Sequence, residues 1–213
     1  SGANFVTKAG DSTTSTGGSL KIFSGNSGSS ASSGEIKIST SDSDESGAIS
    51  IITESAATQA SGSISLQSGV SQGENSGEIT ISSGFSSQNK AGSITFEAGI
   101  STSQAGGRVL LRSGTSSYSE SGKFLMSTST GETSSGGSLI QTGESLLSSG
   151  AIILRSSASS TIAGGSIAIE SGNGGLRSGN VQLHAGNAAT ASGGTVIMVT
   201  GDSTQTSSGG VSL

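Results

Sequence analysis

The sequence predicts an all-β protein: a single-chain β-solenoid of about 14 rungs of roughly 15 residues, resembling a parallel β-helix with a two-sided, flattened core. Three observations favour this fold class: a tandem repeat, a period-two alternation of apolar residues inside it, and glycines between the alternating segments. Period-two alternation is typical of a strand with one buried face. A unit this short buries too little to fold alone, so the units should stack on one another.

The repeat is clearest in four consecutive units of the central chain. They begin at Ser63, Glu78, Ser93 and Arg108, each 15 residues after the previous start. Numbered from these starts, positions 2 and 4 are apolar, position 6 is small and position 7 is usually glycine. A polar stretch and a closing Ser-Gly or Gly-Gly pair complete each unit. β-branched residues dominate positions 2 and 4, which favours strands over helices.

Positions 2 and 4 are predicted to form two inward columns. The column at position 2 comprises Ile36, Ile49, Ile64, Ile79, Ile94, Val109, Phe124, Ile152, Ile167, Val181 and Val196. The column at position 4 comprises Ile22, Ile38, Ile51, Leu66, Ile81, Phe96, Leu111, Met126, Leu154, Ile169, Leu183 and Met198. Residues on the other face of each strand, such as Thr80, should face solvent.

Small residues are predicted to form the second side of the flattened core. In one unit these are Ser68, Ser71 and Ser76, whose buried hydroxyls would bond to their copies one rung away. Glycines such as Gly69 and Gly99 are expected at the turns because glycine reaches positive φ without steric cost.

Disorder is the competing interpretation of this composition. Only 30% of the residues are apolar and 3% aromatic, and 36 are glycine, as in a flexible linker. Against disorder, the chain has no proline, 11% charged residues and a net charge of −5, together with the regular repeat. We therefore expect one continuous repeat array over residues 1–213. Because the last residues fall inside the apolar pattern of a new unit, this array is expected to be a section of a longer one.

The composition also bounds the function. The basic residues form no cluster and no apolar run approaches the ~18 residues of a membrane span, so neither nucleic-acid binding nor membrane insertion is expected. Gly69–Gly73 matches a Gly-x-Ser-x-Gly motif, but the single histidine, His184, is seven repeats away. Such a motif needs a nearby general base. Asp42, Asp44 and Glu45 are interpreted as a solvated turn, and Gly172–Gly175 as a glycine-rich turn.

The sequence therefore predicts no enzyme activity, no catalytic residues, no cofactor and no metal site. One surface feature stands out at position 3, which should face outward. It holds Leu110, Leu125 and Ile153 in the second half of the chain, a candidate lateral contact stripe. A local twist that turns position 3 inward is the alternative. Val70, Phe85 and Ile100 at position 8 form a second short apolar stack.

The repeat resembles the Ser/Gly-rich β-solenoids of bacterial adhesin stalks, surface filaments and several ice-binding proteins. This class-level resemblance implies a structural role in an extracellular or cell-surface fibre, stalk or adhesin, with self-association end to end and laterally. The alternatives are an ice-binding β-solenoid, for which a flat Ser/Thr ladder is needed, and a carbohydrate-binding or carbohydrate-active β-helix. The mixed residues at outward positions argue against the first, and the absence of recurrent carboxylate pairs against the second.

Overall fold

The computed structural model describes residues 2–28, 31–159, 163–203 and 207–212. Within these ranges the chain forms no α-helix and no β-strand. The prediction of an all-β, single-chain β-solenoid, or parallel β-helix, is therefore wrong. The chain is coil-rich, and its regularity lies in local turns.

Burial is low throughout the described residues, none of which is buried. A compact protein of 20.4 kDa would expose about 8,800 Å², and its extended chain about 29,600 Å². This chain exposes 21662 Å². It thus keeps most of the surface of an unfolded chain, and the predicted two-sided core is absent from the part of the chain that the structure describes.

The two predicted inward columns are exposed. Side chains at position 2 are 45% to 58% exposed, and those at position 4 are 58% to 72% exposed. Ile79 and Ile81 follow this pattern, so neither faces a core. The physical reason is that each unit offers two medium-sized apolar side chains, too few to offset the conformational entropy of fixing a Ser/Gly-rich chain in a stack.

Bends recur along the chain at the spacing of the sequence repeat. In the central region they occupy residues 57–59, 72–74, 87–89, 102–104 and 117–119. Each follows the apolar part of its unit. We call positions 1 to 7 of a unit the arm, and the residues from position 8 to the closing glycine the loop.

Serine at position 9 explains the bend in the four central loops that begin at residues 70, 85, 100 and 115. The Ser71 hydroxyl oxygen accepts a hydrogen bond from the backbone N–H of Glu74 at 3.0 Å, and Ser86 and Ser101 accept the same bond from Asn89 and Gln104. A hydroxyl that accepts from the amide three residues ahead stabilises a tight local turn. The predicted hydrogen-bond ladder between units is therefore wrong for Ser71, whose hydroxyl serves its own turn.

A backbone hydrogen bond closes many of the loops. The N–H of Gly107 donates to the carbonyl of Gly99 at 2.8 Å, and the N–H of Gly122 donates to that of Gly114 at 2.9 Å. Eight such bonds join residues seven to nine apart in sequence. Because both ends of each bond lie within one unit, closure requires no neighbouring unit.

The closing residue of a unit must be glycine because the chain there passes close to the residues at positions 6 and 7 of the same unit. A Cβ atom on Gly107 would lie 3.2 Å from the Cβ of Ala98, the small residue at position 6, and 3.0 Å from the backbone nitrogen of Gly99. Fourteen closing glycines, Gly107 among them, share this arrangement. A Cβ atom built on each would lie 3.1 to 4.0 Å from a side-chain atom of the residue at position 6. None of the described glycines has a positive φ, so the prediction that Gly69 and Gly99 need it is wrong.

Two shorter loops replace the serine at position 9 with glycine. A Cβ atom on Gly131 would collide with the carbonyl of Ser134, and one on Gly174 would collide with the carbonyl of Arg177. Position 9 thus carries a serine hydroxyl or a bare glycine backbone in most units, while Ala56 and Ala188 occupy it at the bends 57–59 and 189–191.

The chain divides into two compact halves, Ser1–Val109 and Leu110–Leu213, each of which contains several repeat units. Each contains the same alternation of exposed arms and closed loops.

Candidate interaction surface

The arms are the candidate functional surface, because they carry most of the apolar side chains and leave them uncovered. Their exposure at positions 2 and 4 varies little from one unit to the next. All but the degenerate arms that begin at 4 and 137 therefore present nearly the same apolar pair to solvent. Repeated apolar groups of this kind usually mark a contact surface.

The predicted lateral stripe lies on these arms. Leu110, Leu125 and Ile153 are 58%, 84% and 73% exposed. The alternative, a twist that buries position 3, is not seen in these arms. Position 3 is as open as positions 2 and 4, so the described arms have no inner face.

Leu139 belongs to the same stripe and was missed by the sequence analysis. Thr142 and Gly143 place it at position 3 of a unit between those of Leu125 and Ile153, and its side chain is exposed. This unit is counted among the 14 but was recognised only as a degenerate one, because Ser138 occupies position 2, where the pattern expects an apolar residue. Alignment on the small residue and glycine at positions 6 and 7 recovers it.

The second apolar stack lies on the loops. Val70, Phe85 and Ile100 each stand directly before the serine that accepts the turn hydrogen bond. All three are almost fully exposed. They are therefore part of a loop entrance and are distinct from the arms.

Charge is distributed differently on arms and loops in one segment of the chain. In residues 110–157 the arms carry only basic residues, Arg112, Lys123 and Arg155. The loops of that segment carry only acidic residues, which are Glu120, Glu132 and Glu144. All six side chains are exposed.

Residues 48–99 have the opposite arm charge. Their arms carry Glu54, Glu78 and Glu97 and no basic residue, while Glu74 and Lys90 lie in the loops. Within the described part of the chain, the structure shows one ion pair, between Lys8 and Asp11 at 2.7 Å. The arm charges of both segments are thus available for an external partner.

The candidates for chemistry are engaged locally or exposed. Ser71, in the Gly-x-Ser-x-Gly motif, accepts a hydrogen bond within its own turn, and His184 is exposed. Asp42, Asp44 and Glu45 stand at an exposed bend. Among the described residues no three His, Cys, Asp or Glu side chains lie close enough to hold a metal ion, and no cavity is present.

Comparison with known proteins gives no relative. No protein-family model, curated protein or solved structure matches the chain. The described residues contain no helix long and apolar enough to cross a membrane. Function must therefore be argued from the repeat itself.

Proposed function

We propose that the chain is a non-enzymatic, structural tandem-repeat protein of an extracellular or cell-surface fibre, stalk or adhesin, and that it acts by self-association through its arms. The observation that carries this proposal is the recurrence of one exposed apolar arm per unit. A surface repeated at fixed spacing binds another such surface at several points together, which raises the overall affinity well above that of one contact.

The loops form hydrogen bonds within their units while the arms leave apolar side chains exposed, and this difference supports the proposed function. Eight of the described loops are closed by a backbone hydrogen bond within their own unit, as between Gly99 and Gly107, so these loops need no partner. Each arm keeps apolar groups in water, which is unfavourable until they are covered. A second set of identical arms is the simplest cover.

Extracellular or surface location is proposed from the Ser/Gly-rich tandem repeat alone, since the β-solenoid architecture that carried the resemblance to surface fibres is absent from the described residues. The ice-binding and carbohydrate-active alternatives lose their structural basis. Both required a β-solenoid or β-helix, with a flat ladder or a long groove, and the described residues form neither.

Sedimentation analysis over a wide range of protein concentration tests the proposal. Wild-type chain should associate as concentration rises. A variant with Leu110→Ser, Leu125→Ser and Ile153→Ser should need at least about tenfold more protein to reach the same degree of association, since each truncated side chain loses about 1.5 to 3 kcal/mol of potential burial.

The matched control removes three apolar side chains from the loops. Tyr118→Ser, Leu146→Ser and Leu176→Ser replace residues that are fully exposed and lie outside the arms. This variant should associate like the wild type. A wild-type chain that remains monomeric up to its solubility limit contradicts the proposed function.

A further inference from the structure

We propose that the partner of the arms is a second copy of this chain bound in a fixed polarity: the basic arms of residues 110–157 lie against the acidic arms of residues 48–99 of the other copy. We call these the cationic arms and the acidic arms. This inference rests on the proposed function and adds the partner surface and its direction.

Charge complementarity between the two sets of arms is the first support. Within residues 110–157 the charged residues of the cationic arms are Arg112, Lys123 and Arg155, and the acidic arms offer Glu54, Glu78 and Glu97. Cationic arms facing cationic arms would repel each other, as would acidic arms facing acidic arms. Opposite arms attract, so charge selects between orientations.

The position of the remaining charges sharpens this selection. Glu120, Glu132 and Glu144 lie in the loops between the cationic arms. A partner that contacts the arms of this segment meets only basic charges there, because the acidic residues lie in the loops. Net charge alone would not produce this pattern, since residues 110–157 carry equal numbers of basic and acidic residues.

Apolar area on the cationic arms supplies the affinity. Ten apolar side chains of these arms are each more than half exposed, namely Leu110, Leu111, Phe124, Leu125, Met126, Leu139, Ile140, Ile152, Ile153 and Leu154. Full burial of such a side chain removes roughly 60 to 120 Å² from water. Together they offer roughly 600 Å² or more, close to the ~800 Å² that each partner contributes to a stable interface.

The repeat spacing makes several contacts simultaneous. The cationic arms begin at 108, 123, 137 and 151, with Arg108 in the same arm as Arg112, and the acidic arms begin at 48, 63, 78 and 93, so both sets repeat every 14 or 15 residues. A contact between two different surfaces leaves the acidic arms of one copy and the cationic arms of the other free. Further copies add in the same direction, so the assembly grows.

An anionic lipid surface is the other partner that basic, apolar arms would attract. A second copy is favoured because this chain itself carries the complementary acidic arms at the same spacing. Lipid binding is therefore an outcome of the test.

The experiment uses the full chain with two sets of reversed arm charges. The first variant has Arg112→Glu, Lys123→Glu and Arg155→Glu, and the second has Glu54→Lys, Glu78→Lys and Glu97→Lys. Each alone should associate at least about tenfold more weakly than the wild type, which is the combined effect expected of three exposed ion pairs. An equimolar mixture of the two, labelled with different fluorophores, should recover association as a mixed assembly.

The matched control reverses loop charges in the same segment. Glu120→Lys, Glu132→Lys and Glu144→Lys give the same net charge as the second variant, yet association should stay within about threefold of the wild type. Wild-type association should also weaken when NaCl is raised from about 20 mM to about 500 mM, because exposed charges are then screened.

The outcomes separate this inference from the proposed function. Association that is insensitive to salt and to both arm variants overturns the inference and leaves self-association intact. Equal weakening by arm and loop variants, or a mixture that does not recover, also overturns it. Binding of the wild type to phosphatidylserine-containing vesicles without recovery in the mixture assigns the cationic arms to lipid. A monomeric wild type contradicts the proposed function itself.

Discussion

The arms and the loops of each unit differ in whether their groups find contacts within the chain. In the loops, Gly107 contacts Ala98 and bonds to Gly99, so small residues and bare backbone acquire partners. In the arms, the larger side chains of Ile79 and Ile81 remain in water. The part of the unit with the least apolar surface is the part with the most defined structure.

This difference shows how sequence distance decides which interactions form in a chain of low hydrophobicity. Closing a loop of about eight residues costs about 2 kcal/mol in chain entropy, apart from a constant. One backbone hydrogen bond and one serine turn return an amount of the same order. An arm must instead find another arm a full unit away, with two or three apolar side chains to hold it.

The largest effect is expected from filling a closing glycine. Gly107→Ala places a Cβ atom against the backbone of Gly99 and the side chain of Ala98, so the loop should open. Hydrogen exchange at the amide of residue 107 should accelerate by about tenfold, which corresponds to about 1.4 kcal/mol.

Gly99→Ala is the control for this substitution. A Cβ atom there meets nothing within 4 Å, and no positive φ is needed. Exchange at Gly107 should be unchanged or slightly slower, since alanine restricts the open chain. Equal acceleration by both substitutions would show that the loop does not depend on close approach.

A smaller effect is expected from removing a turn acceptor. Ser101→Ala deletes the hydroxyl oxygen that accepts from the backbone N–H of Gln104 at 3.0 Å. An exposed bond of this kind contributes about 0.5 to 1 kcal/mol, so amide exchange at Gln104 should accelerate about two- to fivefold. Ser103→Ala retains the acceptor and should leave that amide as it is. If the two variants behave alike, the hydroxyl does not stabilise the bend.

The smallest effect is expected from truncating an arm in the dilute, monomeric chain. Ile81 is 58% exposed, so Ile81→Ala should change the stability of the neighbouring loop by less than about 0.5 kcal/mol, as should Thr80→Ala. Urea titration of amide protection at Asn89, whose N–H donates to the Ser86 hydroxyl in the same loop, measures both. A loss of more than about 2 kcal/mol at Ile81 alone would mean that the arm is covered, as in a core.

The sequence indicated where the chain bends but not whether the arms pair. Glycines such as Gly69 and Gly99 were recognised as turn positions, although positive φ was wrongly assigned to them, whereas Ser71 was placed in the small side of the core. Serine favours a local hydroxyl turn, a signal that was present and was interpreted as a ladder. The requirement at Gly107 depends on a contact with Ala98 across the loop, and glycine alone does not distinguish that from positive φ.

The arms show why alternation was insufficient. The pattern at Glu78–Ile81 states which side chains would share a face of a strand. It does not state that a second strand is close enough to cover that face, because this depends on the balance between burial and chain entropy for the whole unit. Leu139 was missed for a simpler reason, since its unit lacks the apolar residue at position 2.

The closed loops also make the chain shorter than it would be if the same residues were extended. Gly10 and Gly18 are joined by a hydrogen bond of 2.8 Å, although the eight intervening steps span about 27 Å when extended. Each loop that opens under tension therefore releases roughly 20 Å. Because each of the hydrogen-bonded loops closes within its own unit, tension extends the chain in small independent steps. A loop closes again when the tension falls, because both ends of its hydrogen bond lie in the same unit. The order of arms and loops along the chain is therefore kept.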